Sequence, residues 1–242
     1  MSTKKNIVRV SNLEVKTVKK DIKNIHIGVY PPNGRVRVAA PLKINDDSLR
    51  LLIISKIPWI KKQQLRFIKQ ERQTKREYVS GESHYFMGSR YILNIIYDDS
   101  KPRVEINRKN IINLHVKSGT SSKKREKLLE DFYRSELRKC SLPLIKKWEK
   151  TIGIQVKELR IKKMKTKWGT SNPDCQRIWI NLELVKKPLN CLEYVLVHEM
   201  VHFLETKHGD KFKYLLSSFL PQWQKYKEEL NQMILGYHEW NN

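Results

Sequence analysis

Residues His198-Glu199-Met200-Val201-His202 set two histidines four apart, with a glutamate beside the first. On an α-helix, residues four apart stand one turn apart on the same face, so two imidazoles can reach one ion. Glu199 lies beside that face, within reach of a water on the ion. Zinc lowers the pKa of such a water to about 7, and a carboxylate can take its proton as general base and later pass it to a leaving group. A third histidine, His208, follows six residues after His202. A straight helix would carry it about 240° around and off the ligand face. The helix is therefore expected to end near residues 205–207, with Gly209 and Asp210 closing one helix and capping the next. His198, His202 and His208 would leave a fourth tetrahedral position open, which is the catalytic rather than the structural arrangement of zinc. Glu228, Glu229 and His238 are alternative third donors, whereas His26, His84 and His115 lie far off in sequence and read as ordinary polar residues.

The surroundings of the motif strengthen this reading. Tyr194-Val195-Leu196-Val197 precede it, Phe203-Leu204 follow it, and Met200 and Val201 fill its middle. A helix apolar on nearly all sides is a buried helix. Burying two histidines and a glutamate without partners is costly, and one bound cation accounts for all three. The three cysteines, Cys140, Cys175 and Cys191, match no zinc-knuckle or redox spacing and read as free thiols.

The elements that must position these residues follow from periodicity. Residues 7–15 and 25–30 are β-rich, and Pro31-Pro32-Asn33-Gly34 is a turn signal before the alternating run 35–40, giving a hairpin over 25–40. Asn45 to Ser48 offer N-caps for a helical stretch to about residue 76 that restarts near Pro58. Short strands are predicted at 85–87, 91–97, 104–107 and 111–116. A Ser/Gly/Lys-rich linker at 117–124 precedes a helix over 124–151 with Pro143 placed to bend it. Strands at 156–162 and 176–182 flank the loop 167–173. Within that loop Trp168 reads as a packing anchor and Gly169 as a turn residue, while Asn181 reads as a sheet-edge polar residue. Helices are predicted at 188–206, 210–218 and 222–235, with Trp223, Tyr226, Tyr237 and Trp240 as a packing stripe. Strands followed by helices, without regular alternation, imply α+β. We expect a β-rich portion over 1–120, with a long charged helical segment, packed against a helical metal-binding portion over 121–242.

The 242 residues suffice for a sizeable core in one large domain or two small ones. The net charge of +24 would attract anionic substrates or nucleic acid, although no zinc-finger, KH or RRM signature is present. No run of 18 apolar residues exists, so no membrane partner is expected. The start, Met-Ser-Thr-Lys-Lys-Asn-Ile, lacks the apolar stretch of an export signal, so a cytoplasmic location is expected.

Several segments together resemble the YgjP-like metallopeptidase family. Lys167-Trp168-Gly169-Thr170-Ser171 is similar to its Arg-Trp-Gly-Ser-Cys segment, Ile178-Trp179-Ile180-Asn181 to its Ile-x-Leu-Asn strand, and residues 197–204 to its metal helix. His208-Gly209-Asp210-Lys211-Phe212 is similar to its His-x-x-x-Phe, and Gly81-Glu82 through Tyr91 to its Gly-Glu…Leu-Gly…Tyr. Ser171 stands where the family has cysteine, so no role rests on that thiol, and Lys213 replaces an aromatic. The resemblance implies a zincin-like, zinc-dependent hydrolase of peptidase type, with His198, His202 and His208 as ligands and Glu199 as base. It also admits a metal-dependent nucleotide pyrophosphatase. The same C-terminal region is locally similar to SprT-like zinc proteases. Substrates expected on these grounds are a peptide or protein, or a nucleotide. A third reading is a nucleic-acid-associated protein whose metal is structural. Imidazole ligands also suit nickel, copper and iron.

Overall fold

Alternating valines in the first forty residues build one face of a four-stranded sheet. The computed structural model describes residues 5–30, 34–69, 76–164 and 167–232. The chain divides between residues 72 and 73 into two compact units. In the first unit the strands β1 (Lys5–Val10), β2 (Leu13–Lys20), β3 (His26–Tyr30) and β4 (Arg35–Pro41) lie in the order β1-β2-β4-β3. The central pair β2/β4 is parallel and the outer pairs are antiparallel. The β-rich run 7–15 is thus two strands, because Ser11 turns the chain in the left-handed region at φ 52°. The hairpin expected over 25–40 is the β3/β4 pair, though Pro31, Pro32 and Asn33 of its turn lie outside the described residues.

Two helices cover the valine face. In α1 (Asp46–Ser55) the Asn45 side chain accepts from the Ser48 amide at 2.6 Å, as an N-cap should. After Lys56 the chain restarts as α2 (Ile57–Lys69), with Pro58 in the first turn, where its missing N–H has no helical partner to lose. Residues 70–75 of the expected helical stretch lie outside the described residues. Val15, Val36, Val38 and Ala40 of the sheet pack with Leu49, Ile53 and Ile60 of the helices.

The second unit opens with strands β5 (Ser83–Phe86), β6 (Ser89–Tyr97), β7 (Arg103–Asn107) and β8 (Ile111–Val116), in the order β5-β6-β8-β7. The long helix α3 (Ser122–Ile152), capped by Ser121, follows and continues through Pro143. Then come β9 (Glu158–Lys162), β10 (Gly169–Asn172) and β11 (Arg177–Asn181), in the order β10-β11-β9. A 3-10 turn (Leu182–Lys186) leads into α4 (Leu189–Val201), α5 (Asp210–Phe219) and α6 (Trp223–Gln232). The class is α+β, and no helix among the described residues is long and apolar enough to cross a membrane.

Two expectations are corrected here. The chain does not divide near residue 120. Leu93, Ile112 and Leu114 of the β5–β8 sheet share one buried cluster with Leu129 and Leu137 of α3 and Leu196 of α4, so that sheet and the helix carrying His198 belong to one core. Residues 167–173 are not simply a loop, because Gly169–Asn172 pairs antiparallel with β11 while β9 pairs parallel with β11 on its other side.

The hairpin between β5 and β6 braces the start of α4. Met87 and Gly88 both have positive φ, 46° and 83°, the signature of a tight type I′ connection. The Met87 amide donates to the Val185 carbonyl at 2.8 Å. A Cβ at Gly88 would lie 2.7 Å from Pro188 Cγ and 3.2 Å from its Cα, directly before α4. Gly88→Ala should therefore cost more than the roughly 1–2 kcal/mol of a left-handed alanine. Gly81 has φ +89° with nothing within 4 Å of its would-be Cβ, so Gly81→Ala should show the backbone cost alone. Urea unfolding of both variants measures the difference, and equal losses would mean the Pro188 contact is slack.

Candidate metal centre

Nine of the thirteen α4 residues are buried, among them Leu192, Val195, Leu196 and Met200. The last turn carries His198 and Glu199 into this apolar setting. The helix ends earlier than the sequence implies, at Val201, with His202 as its cap residue. The chain tightens at once, the Phe203 amide donating to the Met200 carbonyl at 3.0 Å and the Leu204 amide to the Val201 carbonyl at 2.9 Å. Gly209 is the N-cap residue of α5, and the turn before it delivers His208 back to the motif.

The three histidines predicted to act together are brought together. His208 Nε2 lies 3.0 Å from His198 Nε2 and 3.1 Å from His202 Nε2. These rings form a group whose ligand atoms all lie within 4.8 Å of one another. No other such group of histidine, cysteine and carboxylate side chains occurs among the described residues. Of the alternative donors, Glu229 accepts from Asn190 Nδ2 at 2.6 Å, Glu228 does not join the group, and His238 lies outside the described residues. His84 pairs with Glu82, His115 with Asp98, and His26 is exposed on β3. The three cysteines are free.

Protonation follows from the geometry. His202 Nδ1 lies 3.1 Å from the Glu205 carbonyl oxygen, which can only accept. Nδ1 therefore carries the proton, and in the neutral ring the lone pair sits on Nε2, toward the other histidines. Burial lowers the His202 pKa. Burial, aided by the charges of His202 and His208, pulls His198 down to about 3. A single proton on His208 Nε2 could serve only one of its two contacts. The convergent Nε2 atoms of the three imidazoles fit a divalent cation of the zinc, nickel, copper or iron kind.

Phe212, buried in the first turn of α5, packs against all three imidazoles, with ring centroids 4.9, 4.6 and 4.7 Å from those of His198, His202 and His208. Glu199 is 6% exposed. Burial pushes its carboxyl up to about 7, against the pull of a Ser171 hydrogen bond and Lys167. Ser171 Oγ donates to Glu199 Oε2 at 3.0 Å. A Cβ at Gly169 would lie 2.7 Å from Glu199 Oε1 and 2.8 Å from Cγ, so only glycine lets the strand come this close. Gly169 and Ser171, two apart on β10, thus face the same carboxylate. Lys167, Gly169, Ser171, Tyr194, Val195 and Thr206 line, with the three histidines and Glu199, a cavity of about 460 Å³.

Asn181 is a structural pin rather than a sheet-edge residue. It is buried and donates to the carbonyls of Met164 and Lys167, both at 2.9 Å, while its Oδ1 accepts from the Met164 amide at 3.2 Å. Trp168 both lines the cavity and packs on the core. Ser171 and Phe212 carried no assigned role from sequence. A period-two pairing of Gly169 with Ser171 was the available signal for the first. For Phe212 only the family's His-x-x-x-Phe spacing pointed to the site.

Three imidazoles and a neighbouring buried carboxylate in one open cavity define a site of the metallohydrolase class. A family model described as YgjP-like, metallopeptidase domain, matches residues 23–233. The chain belongs to this YgjP-like family, and membership makes it a metal-dependent hydrolase of peptidase type. A comparison with curated proteins finds no match. Among solved structures, the metallopeptidase zymogen of Pyrococcus abyssi abylysin aligns over 36% of this chain and 89% of its own, at 16% identity and a TM-score of 0.34, a likeness too slight to argue from.

Gly169→Ala should drive the Glu199 carboxylate out of place while leaving the three imidazoles intact. Displacements on the order of 1 Å cost about 100-fold in rate. Hydrolysis is expected to fall by about that factor with bound metal unchanged, as read by paired kinetics and metal analysis. Undiminished turnover would show that β10 does not position the carboxylate.

Proposed function

We propose that the protein is a zinc-dependent peptidase in which His198, His202 and His208 hold the ion and Glu199 is the general base. The observation that supports this most is the convergence of three Nε2 atoms beside a buried carboxylate in one cavity. Zinc, when bound, supplies Lewis-acid polarisation and makes water a nucleophile near neutral pH. Glu205, through its carbonyl oxygen, holds His202 in the tautomer that ligates through Nε2. Ser171 engages Glu199 Oε2, which leaves Oε1 to take a proton from the attacking water and return it to the leaving nitrogen. The β10 backbone, pressed against Glu199 at Gly169, fixes that carboxylate and narrows the space in which it can turn. Phe212 holds the three rings against rotation and keeps water from beneath them.

A second reading, cleavage of a nucleotide phosphoanhydride, is favoured by one observation. Lys167 lines the same cavity and would meet a polyphosphate. The two readings share ligands and base, so substrate panels separate them.

Purified protein should carry about one zinc per chain. Glu199→Gln should keep the metal and lose nearly all peptide hydrolysis, and His202→Ala should lose the metal as well. If Glu199→Gln retains full activity, the assigned base is wrong. Phosphate or pyrophosphate release from nucleoside triphosphates without peptide cleavage would favour the second reading. Stripping the ion with a chelator should lower the melting temperature, because a ligand bound only by the folded state stabilises it. Added zinc should restore it. An unchanged melting temperature would argue against a filled site.

A further inference from the structure

The first unit carries charge out of proportion to its length. The first 72 residues hold 17 Lys and Arg against 5 Asp and Glu, which is half of the chain's net +24 in under a third of its residues. Part of this charge is ordered on the sheet face opposite α1 and α2. Strand register decides which residues share that face, because paired residues and residues two apart point the same way. Ile7 pairs with Lys16, Lys16 with Arg37, and Arg37 with Gly28, forming one row across all four strands. The neighbouring positions are Arg9 paired with Glu14 and Arg35 paired with Tyr30. Arg9, Lys16, Arg35 and Arg37 are all exposed, and Glu14 is the acidic side chain among them.

An aromatic ring lies on this basic surface. A Cβ at Gly28 would meet the Tyr30 ring at 2.6–2.7 Å, so the ring rests over the glycine in the register position beside Arg37. A side chain at this position would have to displace the ring from where it lies. The outcome is a ring with one side against the backbone and the other toward solvent, flanked by arginines. Neighbouring strands are about 4.8 Å apart and alternate residues about 6.6 Å apart, so the cations recur at short, regular intervals.

We propose that this face of the first unit binds single-stranded nucleic acid, with Arg9, Lys16, Arg35 and Arg37 on the phosphates and a base stacked on Tyr30. Cations combined with an aromatic platform are the pattern of sequence-tolerant single-strand binding. An acidic protein or an anionic membrane would use the charge but give the ring on its glycine seat no specific task, so nucleic acid is favoured. The proposal concerns a surface outside the metal centre and stands or falls apart from the proposed peptidase chemistry.

The test uses the full chain and fluorescein-labelled 20-nucleotide single strands, read by anisotropy across a salt series. Four phosphate contacts predict a slope of log affinity against log salt of about −3 for a single strand. Lys16→Glu with Arg37→Glu should weaken binding at least about tenfold and flatten that slope by about 1.4. Tyr30→Ser should weaken single-strand binding by about tenfold, with little effect on a duplex of the same length. Lys101→Glu with Lys109→Glu makes the same change in net charge on the second unit and should leave affinity within about twofold. Circular dichroism and peptide or nucleotide hydrolysis serve as folding controls. Should the charge reversal unfold the protein, Arg37→Gln alone, expected to flatten the slope by about 0.7, gives the same reading. The proposal is overturned by absent binding, by equal loss in the Lys101/Lys109 variant, by an unaltered Tyr30→Ser, or by tight association with phosphatidylserine vesicles in place of the oligonucleotide.

Discussion

The second unit depends on one costly arrangement, two half-buried histidines and a buried glutamate at the end of a largely apolar, largely buried helix. A polar side chain taken from water into such a setting must find a partner. The unit meets this demand piece by piece. The Glu205 carbonyl takes the Nδ1 proton of His202, Ser171 takes one oxygen of Glu199, and His208 is returned by a tight turn to complete the cluster. What then stays unsatisfied, besides the buried Nδ1 of His198, is a set of converging nitrogen lone pairs, which a cation balances and a proton does not. The arrangement thereby selects its occupant before any substrate is considered.

Precision in such a site comes from the elements that hold the side chains, not from the side chains alone. α4 fixes His198 and Glu199 relative to each other, and α5 sets Phe212 beneath all three imidazoles. β10 approaches from the third direction, as an edge strand whose outer pairing is left to the cavity. The contact at Gly169 is a steric limit, since backbone and carboxylate meet with no room for a methyl group. The hydrogen bond from Ser171 two residues on adds direction to that limit. A hydroxyl can donate to a carboxylate as well as accept, so the departure from cysteine leaves Glu199 with a firm partner.

The clustering of His198 and His202 was legible in the sequence because their spacing is set by the helix itself, and a period of 3.6 residues is visible within five positions. The four strands between 83 and 116 were legible for a similar local reason, alternation bounded by turn residues. Asn45 and the restart at Pro58 were legible from capping chemistry. Features decided by distant parts of the chain were not. Parallel pairing of β9 with β11, or β2 with β4, leaves no local trace, since the same alternating strand serves either direction. Gly169–Asn172 is four residues long and polar, and it became a strand because β11 offered an edge. The boundary near residue 120 was misplaced because a Ser/Gly/Lys stretch reads as a linker, whereas Leu114 and Leu129 on either side of it share one core. The early end of α4 is likewise set by the turn that returns His208.

The two units answer different physical problems with the same device, a glycine that yields its space to a neighbour. At Gly169 the space goes to a carboxylate, which is buried and held beside the three imidazoles. At Gly28 it goes to the Tyr30 ring, which stays at the surface with its outer side free, and the consequence is a platform open along the strands. Each unit has its own hydrophobic cluster. A chain built this way can vary its charged sheet and its metal site as separate traits.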